Sequence, residues 1–280
     1  MKKALVFADK SREKIKKALA DALPMVREFM EVEVMDMSTH QDVACPTADI
    51  AIVFGGDGSM LRVARSQASS QIPTIGVNLG KIGFLTEISL GQLRPAIEAL
   101  AAGRYEVTPR MMLKCQATRG RQIIRESLAL NDVVVSRRVY SRMISVGLSI
   151  DDEHVIDYNA DGMIISTPVG STAYSLAAGG SILEADLRAF ALTPICPHTL
   201  SNRPLVIPAT RKVELLVNPV DLPVALTIDG QLTSDLIPGD RVTVQRADND
   251  FKLIQMGTRS YYQILHTKLG WGGHPNYGKS

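Results

Sequence analysis

The stretch from Ile50 to Met60, IAIVFGGDGSM, predicts the fold of the first part of the chain. The apolar run IAIVF (50–54) is typical of a buried strand, and the glycine-rich segment GGDG (55–58) follows it directly. The next residues, MLRVARSQA (60–68), have apolar side chains at helical spacing. A strand, a glycine turn and a helix in this order indicate a parallel α/β sheet, because parallel strands need crossover connections.

The same alternation of strand-like and helical segments extends over the first hundred residues. Apolar runs that predict further strands are KALVFA (3–8), VEVMDM (32–37) and PTIGVNL (73–79). Helical spacing is found from Ser11 to Leu23 and in LRPAIEALAAG (93–103). We therefore expect an N-terminal Rossmann-like α/β domain with helices on both faces of its sheet.

Near Tyr105 the pattern changes to short strand-like runs separated by turn residues. The runs are MMLKCQATR (111–119), LNDVVVSR (130–137), MISVGLSI (143–150), GMIIST (162–167), KVELLV (212–217), VALTID (224–229) and RVTVQRA (241–247). Asp229-Gly230 and Pro238-Gly239-Asp240 are turn sequences, and only STAYSLAAGG (171–180) has helical character. These features predict an antiparallel, mostly β C-terminal domain.

The expected domain boundaries follow from this change of pattern. We assign residues 1–104 to the α/β domain and residues 105–256 to the β-rich domain. The last segment, SYYQILHTKLGW (260–271), has an apolar stripe at helical spacing. We expect it to form a C-terminal helix that packs back on the first domain, so that residues 257–280 join residues 1–104.

Composition and charge exclude several classes of protein. The formal net charge is only +2, so no global electrostatic field would attract nucleic acid or an acidic membrane. The three cysteines are odd in number and far apart, which fits neither a disulfide framework nor a CxxC metal site. The N-terminus lacks the long apolar region of a signal peptide, and no apolar run is long enough to span a bilayer. We expect a cytoplasmic protein with no nucleic-acid or membrane partner.

The strongest chemical signal is Gly55-Gly56-Asp57-Gly58-Ser59, between a strand and a helix. Glycines let the backbone turn sharply and approach a ligand, and the start of a helix favours an anion such as phosphate. An aspartate in such a loop would repel phosphate unless it had a task, such as holding Mg²⁺ or taking a proton from an attacking hydroxyl. The alternative is a tight turn in which Asp57 is a solvated helix cap.

Two further segments have the residue types of a nucleotide site. In TPVGSTAY (167–174), hydroxyls and amides cluster at a helix start and could bind a base edge or a phosphate, with Tyr174 stacking on a ring. Asn131-Asp132 offers an amide for an adenine edge and a carboxylate for a ribose diol. A well-capped helix with a core tyrosine and a local turn are the respective structural alternatives.

Four other candidates are weaker. Asp161 precedes Gly162 and has the same two interpretations as Asn131-Asp132, whereas His198 lies between prolines, where a structural role is favoured over a catalytic one. GVNLGKI (76–82) is not a P-loop, since the glycine spacing is one residue short and isoleucine stands at the Mg²⁺-binding position. The acidic DDEH (151–154) is favoured as a hairpin turn.

Several of these segments, in this order, resemble the NAD kinase family. They are GGDGSM (55–60), GVNLGKIGFLTE (76–87), LNDVVVSR (130–137), ADGMIISTPVGSTAYSLAAGG (160–180) and PICPHTLSNRPLVIP (194–208). GGDG alone is shared with lipid kinases and 6-phosphofructokinases, whereas GFLTE together with TPVGSTAY is much more specific. The resemblance implies transfer of a phosphoryl group from ATP or polyphosphate, with Mg²⁺ or another divalent cation, to the 2′-hydroxyl of the adenosine ribose of NAD.

The resemblance also implies roles for individual residues. Asp57 becomes the candidate general base, and Gly55, Gly56, Gly58 and Ser59 form the phosphate loop. The residues implied to bind NAD are Asn131, Asp132, Asp161, Thr172, Ala173 and Tyr174, with His198 as a possible addition. The Mg²⁺ ligands are not assigned. Family members form homodimers or homotetramers, so we expect a homo-oligomer.

The chain departs from the family pattern at two positions. The family usually has Asn-Glu where this chain has Asn131-Asp132, so the carboxylate is kept on a shorter side chain. Val169 stands where threonine is common. Two alternative functions are a lipid kinase of the same superfamily, which would need an apolar groove, and a non-catalytic dinucleotide-binding regulator, which would be marked by loss of Asp57.

Overall fold

The computed structural model describes residues 1–39, 45–68, 70–80, 83–138, 142–199, 202–219, 222–257 and 259–270. The chain divides into two compact units. The first unit comprises Met1–Met60, Ile72–Thr108 and Leu253–Ser280, and the second comprises Leu61–Gln71 and Pro109–Lys252. The first unit is thus built from three separate pieces of sequence.

The described residues of the first unit form a seven-stranded sheet and its helices. The strands are β1 (Lys3–Ala8), β2 (Glu31–Asp36), β3 (Ile50–Phe54), β4 (Thr74–Asn78), β5 (Ile88–Ser89), β6 (Glu106–Arg110) and, much later in the chain, β19 (Phe251–Gln255). The helices are α1 (Glu13–Phe29), α3 (Leu93–Ala101) and α5 (Tyr261–Leu269), whereas α2 (Asp57–Ser66) begins in the first unit and belongs to the second from Leu61 onward. The strand order is β2-β1-β3-β4-β19-β6, with β5 paired to β4.

The strand pairs described for this sheet are parallel, and its central strands are buried. β1 pairs in parallel with β2 and β3, and β4 pairs in parallel with β3, β5 and β19. All five residues of β3 are buried, as expected for a strand covered on both faces. The apolar stripe of α1, which includes Ile15, Leu19 and Val26, belongs to the core cluster on this sheet. The predicted α/β domain is confirmed.

The C-terminal helix α5 belongs to the first unit, as the sequence predicted. Ser260 caps its start, because its hydroxyl accepts a hydrogen bond from the Gln263 amide at 3.2 Å. Gly270 ends the helix in the left-handed conformation, at φ 66°. Leu265 is its buried residue.

The described residues of the second unit form two six-stranded sheets. One has the order β11-β10-β15-β18-β7-β8 and the other β14-β13-β12-β9-β16-β17. Their bounds are β7 (Leu113–Arg119), β8 (Gln122–Ala129), β9 (Asp132–Arg137), β10 (Ile144–Ile150), β11 (Glu153–Ala160), β12 (Gly162–Ser166), β13 (Ala189–Ile195), β14 (Leu205–Pro208), β15 (Val213–Val217), β16 (Val224–Ile228), β17 (Leu232–Leu236) and β18 (Arg241–Arg246). Neighbouring strands pair antiparallel, so the predicted β-rich domain is confirmed.

The core of the second unit lies between these sheets. Leu113 and Leu215 from the first sheet and Val133 and Ile165 from the second belong to one cluster of buried apolar side chains. Two sheets that bury a shared apolar layer form a β-sandwich.

The helix expected over residues 171–180 is much shorter than predicted. A 3₁₀ turn covers Gly170–Thr172 and helix α4 covers only Tyr174–Ala177. The backbone leaves the helical region at Ala173, where ψ is −124°. After α4 the chain reaches Gly179, at φ 87°, a conformation that stops a helix.

The turn predictions for the second unit agree with the structure. Asp151 and Asp152 lie between β10 and β11 with φ of 50° and 68°, so DDEH (151–154) starts at a hairpin turn. Asp229 and Gly230, at φ 50° and 65°, form the turn between β16 and β17. Along the described parts of the chain, none of the helices has the length and apolarity needed to cross a bilayer.

Candidate active site and nucleotide pocket

Asp57 lies at the carboxyl end of β3 and is the first residue of α2. The sequence predicted a helix from residue 60, whereas Gly58 and Ser59 already lie in its first turn. The amide of Gly55 donates to the Val77 carbonyl at 3.0 Å, so it continues the sheet and is not free to contact a ligand. An acidic side chain at the N-terminus of a helix interacts favourably with the helix dipole.

Backbone amides of the segment GFLTE (83–87) hold the Asp57 carboxylate in place. Oδ2 accepts a hydrogen bond from the Phe84 amide at 2.8 Å, and Oδ1 accepts one from the Leu85 amide at 3.0 Å. The Thr86 hydroxyl lies 3.4 Å from Oδ1. The side chain is therefore fixed by protein donors and does not extend freely into solvent.

Thr86 connects this contact to the sheet. Its hydroxyl accepts hydrogen bonds from the Gly83 amide and from Asn78 Nδ2, both at 2.9 Å, and Thr86 itself is buried. A Cβ atom on Gly83 would lie 1.9 Å from Asp57 Oδ1. Only glycine at position 83 allows the segment to approach the carboxylate this closely. GFLTE thus shapes the surroundings of Asp57.

A cavity of about 350 Å³ lies within the second unit. Its lining residues are Asn131, Asp132, Val134, Ser136, Ala173, Tyr174, Thr227, Asp229 and Gly230. The two motifs that the sequence singled out there, Asn131-Asp132 and the end of TPVGSTAY, therefore meet at one site. Tyr174 is 47% exposed, so the alternative of a core tyrosine is wrong.

Thr167 and Gly170 fix the carbonyl side of the segment that carries Asn131. The Thr167 hydroxyl donates to the Leu130 carbonyl at 2.6 Å, and the Thr167 amide donates to the Asn131 carbonyl at 2.9 Å. A Cβ atom on Gly170 would lie 2.0 Å from the same Asn131 carbonyl oxygen. The start of TPVGSTAY thus supports the cavity residue Asn131 through its backbone.

Asp229 fixes the amide side of the same segment, and the sequence analysis missed this role. Its carboxylate accepts hydrogen bonds from the amides of Leu130 at 3.1 Å, Asn131 at 2.7 Å and Asp132 at 3.3 Å. It also forms a buried ion pair with Arg65, at 2.9 Å. Asp-Gly at a hairpin is explained by the turn alone, so no residue pattern points separately to a role of the carboxylate.

Asp132 and Asp229 are the two buried acids that line the cavity. Burial, together with the charge of neighbouring Asp229, raises the pKa of the Asp132 carboxyl group from 3.8 to about 7. For Asp229 itself, burial raises the pKa while Arg65 and the amides of Asn131 and Leu130 oppose the shift. Among the described residues, no hydrogen-bond donor contacts the Asp132 carboxyl group, which leaves it available to a ligand in the cavity.

Comparison with known proteins adds to this geometry. Residues 3–105 match the ATP-NAD kinase N-terminal domain, and residues 130–256 match the ATP-NAD kinase C-terminal domain. The NAD kinase of Geotalea daltonii is 43% identical over 225 residues, covering 80% of this chain and 79% of that protein. The chain belongs to the NAD kinase family.

Solved structures of similar proteins agree with this assignment. The crystal structure of an NAD kinase from Archaeoglobus fulgidus in complex with ATP has a TM-score of 0.72 at 26% identity, covering 96% of this chain and 99% of that chain. Yeast NADH kinase complexed with NADH has a TM-score of 0.86 at 23% identity, covering 99% of this chain and 90% of that chain. The likeness to the yeast enzyme concerns the fold alone.

Three residues implied by the NAD kinase resemblance lie outside the lining of the cavity. Asp161 forms an ion pair with Arg137 at 2.6 Å. The Thr172 hydroxyl donates to the Val169 carbonyl at 3.0 Å. His198 is exposed, and its amide donates to the Asn159 carbonyl. A direct contact of these side chains with NAD stays a prediction.

The donor set of the described residues can be compared with what Mg²⁺ requires. No group of three or more His, Cys, Asp or Glu side chains with metal-binding geometry occurs in the ranges that the structure describes. Magnesium in kinase sites usually keeps several waters and is held by one or two carboxylates together with substrate phosphates. A single carboxylate such as that of Asp57 would therefore suffice for a cation bound together with a nucleotide.

Proposed function

We propose that the chain is an NAD kinase that transfers the terminal phosphoryl group of ATP, or of polyphosphate, to the 2′-hydroxyl of the adenosine ribose of NAD. Family membership supports this function, as do curated relatives named NAD kinase. The observation that carries the mechanism is the Asp57 carboxylate, which two backbone amides orient at the start of α2.

Asp57 acts as the general base in the proposed reaction. A ribose hydroxyl is a poor nucleophile at neutral pH, and removal of its proton by a positioned carboxylate contributes about 10²–10⁴-fold to the rate. The amides of Phe84 and Leu85 use one acceptor direction on each oxygen. The Thr86 hydroxyl takes the second direction on Oδ1, so the second lone-pair direction of Oδ2 can receive the hydroxyl proton.

The phosphate donor is assigned to the first unit. Gly56, Gly58 and Ser59 follow β3 and enter α2, where the helix dipole favours the negative charge of phosphate. Gly55 contributes the close turn. Mg²⁺, when bound with the nucleotide, neutralises charge on the transferred group.

The acceptor NAD is assigned to the cavity of the second unit. Asn131 offers an amide to the adenine, Asp132 offers a carboxyl group to the ribose, and Tyr174 offers an exposed ring for stacking. Ala173 completes this wall, with Asp161 and Thr172 as adjoining residues. In domain terms, residues 1–104 with 257–280 take the phosphate donor and residues 105–256 take NAD, in a cytoplasmic homo-oligomer.

Substitution of the proposed base tests this function. We expect wild-type protein with ATP, Mg²⁺ and NAD to form NADP, and Asp57→Asn to lower kcat by about 10²–10⁴-fold with little change in the KM for NAD. A coupled assay for NADP measures both constants. The same assay separates an NAD kinase from a lipid kinase and from a non-catalytic regulator, because neither of these makes NADP.

A matched control separates chemistry from stability. Asp36 also accepts hydrogen bonds from two backbone amides of the first unit, those of Ser38 at 2.9 Å and Lys10 at 3.3 Å. Asp36→Asn makes the same change of side-chain charge at another aspartate bonded to backbone amides and should keep wild-type kcat. Wild-type turnover in Asp57→Asn, measured on protein with a normal melting curve, would show that Asp57 is not the base.

A further inference from the structure

The ion pair between Arg65 and Asp229 is the most deeply buried pair in the described part of the second unit. The Arg65 side chain is 2% exposed and the Asp229 side chain 0%. Removing two charges from water has a large desolvation cost, and a buried pair is often no more stabilising than apolar residues of similar volume. Stability alone is therefore a weak account of this pair.

The contacts around Asp229 indicate what the pair does. Three consecutive amides, those of Leu130, Asn131 and Asp132, donate to its carboxylate. Consecutive amides can converge on one anion only in a restricted backbone conformation, as in the backbone nests that bind phosphate. The carboxylate thus fixes the backbone from which the side chains of Asn131 and Asp132 reach the cavity.

Arg65 in turn holds Asp229 and its hairpin turn. One guanidinium nitrogen donates to Asp229 Oδ2 at 2.9 Å, and the other donates to Gln231 Oε1 at 2.6 Å. Asp229 and Gln231 flank Gly230, so the planar fork of the guanidinium spans the turn between β16 and β17. A lysine has a single ammonium group and cannot reproduce this geometry.

We infer that Arg65 and Asp229 are positioning residues of the acceptor site, which hold residues 130–132 so that Asn131 and Asp132 can bind NAD. The inference rests on the proposed function, because it takes the cavity to be the NAD site. Arg65 does not line the cavity, so it acts on NAD only through Asp229.

Steady-state kinetics of Asp229→Asn test the inference. Asparagine keeps an acceptor oxygen for the three amides that converge on Oδ1, but its NH₂ group takes the place of Oδ2 and meets the Arg65 guanidinium and the Leu130 amide, which are both donors. The side chain therefore loses its anchor to Arg65, and the segment at residues 130–132 should lose its fixed conformation. We expect the KM for NAD to rise at least about tenfold, equivalent to about 1.4 kcal/mol of binding free energy, while the KM for ATP stays within about twofold of wild type. Arg65→Lys keeps the charge, should fold, and should raise the KM for NAD in the same direction.

Asp240→Asn is the matched control in the same unit. The side chain of Asp240 is 1% exposed and forms an ion pair with Arg119 at 2.8 Å. It also accepts a hydrogen bond from the Ile237 amide at 2.8 Å. It does not line the cavity. A merely structural role for Asp229 predicts that both Asp→Asn variants lower the melting temperature and leave the KM for NAD unchanged.

The outcomes distinguish this inference from the proposed function. If wild-type protein makes no NADP, or if Asn131→Ala leaves the KM for NAD unchanged, the assigned NAD site is wrong. If wild-type protein is active and Asn131→Ala raises that KM while folded Asp229→Asn and Arg65→Lys do not, the positioning role alone is overturned. If Asp229→Asn does not fold, the KM of Arg65→Lys decides.

Discussion

Replacement of Asp132 by asparagine should stabilise the protein by an amount that grows as the pH rises. The folded protein holds a proton on Asp132 more tightly than the unfolded chain does, because burial and then the charge of Asp229 raise its pKa from 3.8 to about 7. Raising the pH from 4 to 7 therefore removes stability from the wild-type protein. Asparagine has no proton to lose and escapes this effect.

The magnitude follows from the two pKa values. Their difference is 7 − 3.8, about three units, and each unit corresponds to about 1.36 kcal/mol. The stability of Asp132→Asn relative to wild type should therefore increase by about 4 kcal/mol between pH 4 and pH 8, and should be constant at higher pH. Below about pH 3 both folded and unfolded wild-type chains are protonated at this position, so the pH-dependent part of the difference vanishes.

Urea unfolding of both proteins without NAD, at pH values from 4 to 8, measures this difference. Asp240→Asn gives a control of opposite sign. Burial pushes the pKa of Asp240 upward, but Arg119 and the Ile237 amide outweigh burial and lower it. The ion pair between Arg119 and Asp240 therefore stabilises the fold above about pH 4. The stability that Asp240→Asn loses relative to wild type should shrink as the pH falls below about 4.

If the free energies of unfolding of Asp132→Asn and wild type differed by the same amount at every pH, the reasoning would be refuted. It would mean that the carboxyl group is ionised in the folded protein with an ordinary pKa, and that the cavity is well solvated. A difference that grows toward low pH would have the wrong sign and would be equally decisive.

Two further predictions concern the surroundings of Asp57. Gly83→Ala would place a Cβ atom 1.9 Å from Asp57 Oδ1 and should lower kcat at least about tenfold, because the carboxylate would be displaced. Gly80→Ala is the control and should keep wild-type kcat, because the nearest atom to its Cβ would be Asn78 Oδ1 at 3.8 Å. Equal kcat values for the two variants would contradict this account. Thr86→Val removes the hydroxyl that accepts hydrogen bonds from the Gly83 amide and from Asn78. It should lower the free energy of unfolding, measured with urea, by about 1–3 kcal/mol. A loss of less than about 0.3 kcal/mol would show that these hydrogen bonds do not stabilise the fold.

The first unit was predictable from sequence because its signals are local. β3 is a continuous apolar run, and the glycines that follow it mark the turn into α2. The bounds of β1, from Lys3 to Ala8, agree with the predicted run at 3–8. By contrast, the helix predicted at 171–180 was too long. Its hydroxyls and alanines are compatible with a helix, and the residue types do not indicate that the backbone leaves the helical region at Ala173.

Residues of the candidate site were predictable only where the residue type and its motif together suggested a binding role. Asn131, Asp132 and Tyr174 do line one cavity, as their motifs indicated. Asp229 was missed because its turn conformation explains an aspartate there without reference to its charge. The pairing of Asp161 with Arg137 depends on the alignment of β9 beside β12, which residue types alone do not specify.

The position of β19 has a consequence for the order in which the protein can be completed during synthesis. This strand lies between β4 and β6 in the sheet of the first unit, yet it begins only at Phe251, where the second unit ends. At about 5–20 residues per second, translation of the intervening segment takes roughly 7–30 s. During that interval the nascent sheet lacks an interior strand, so the N-terminal unit is the first to leave the ribosome and the last to be finished.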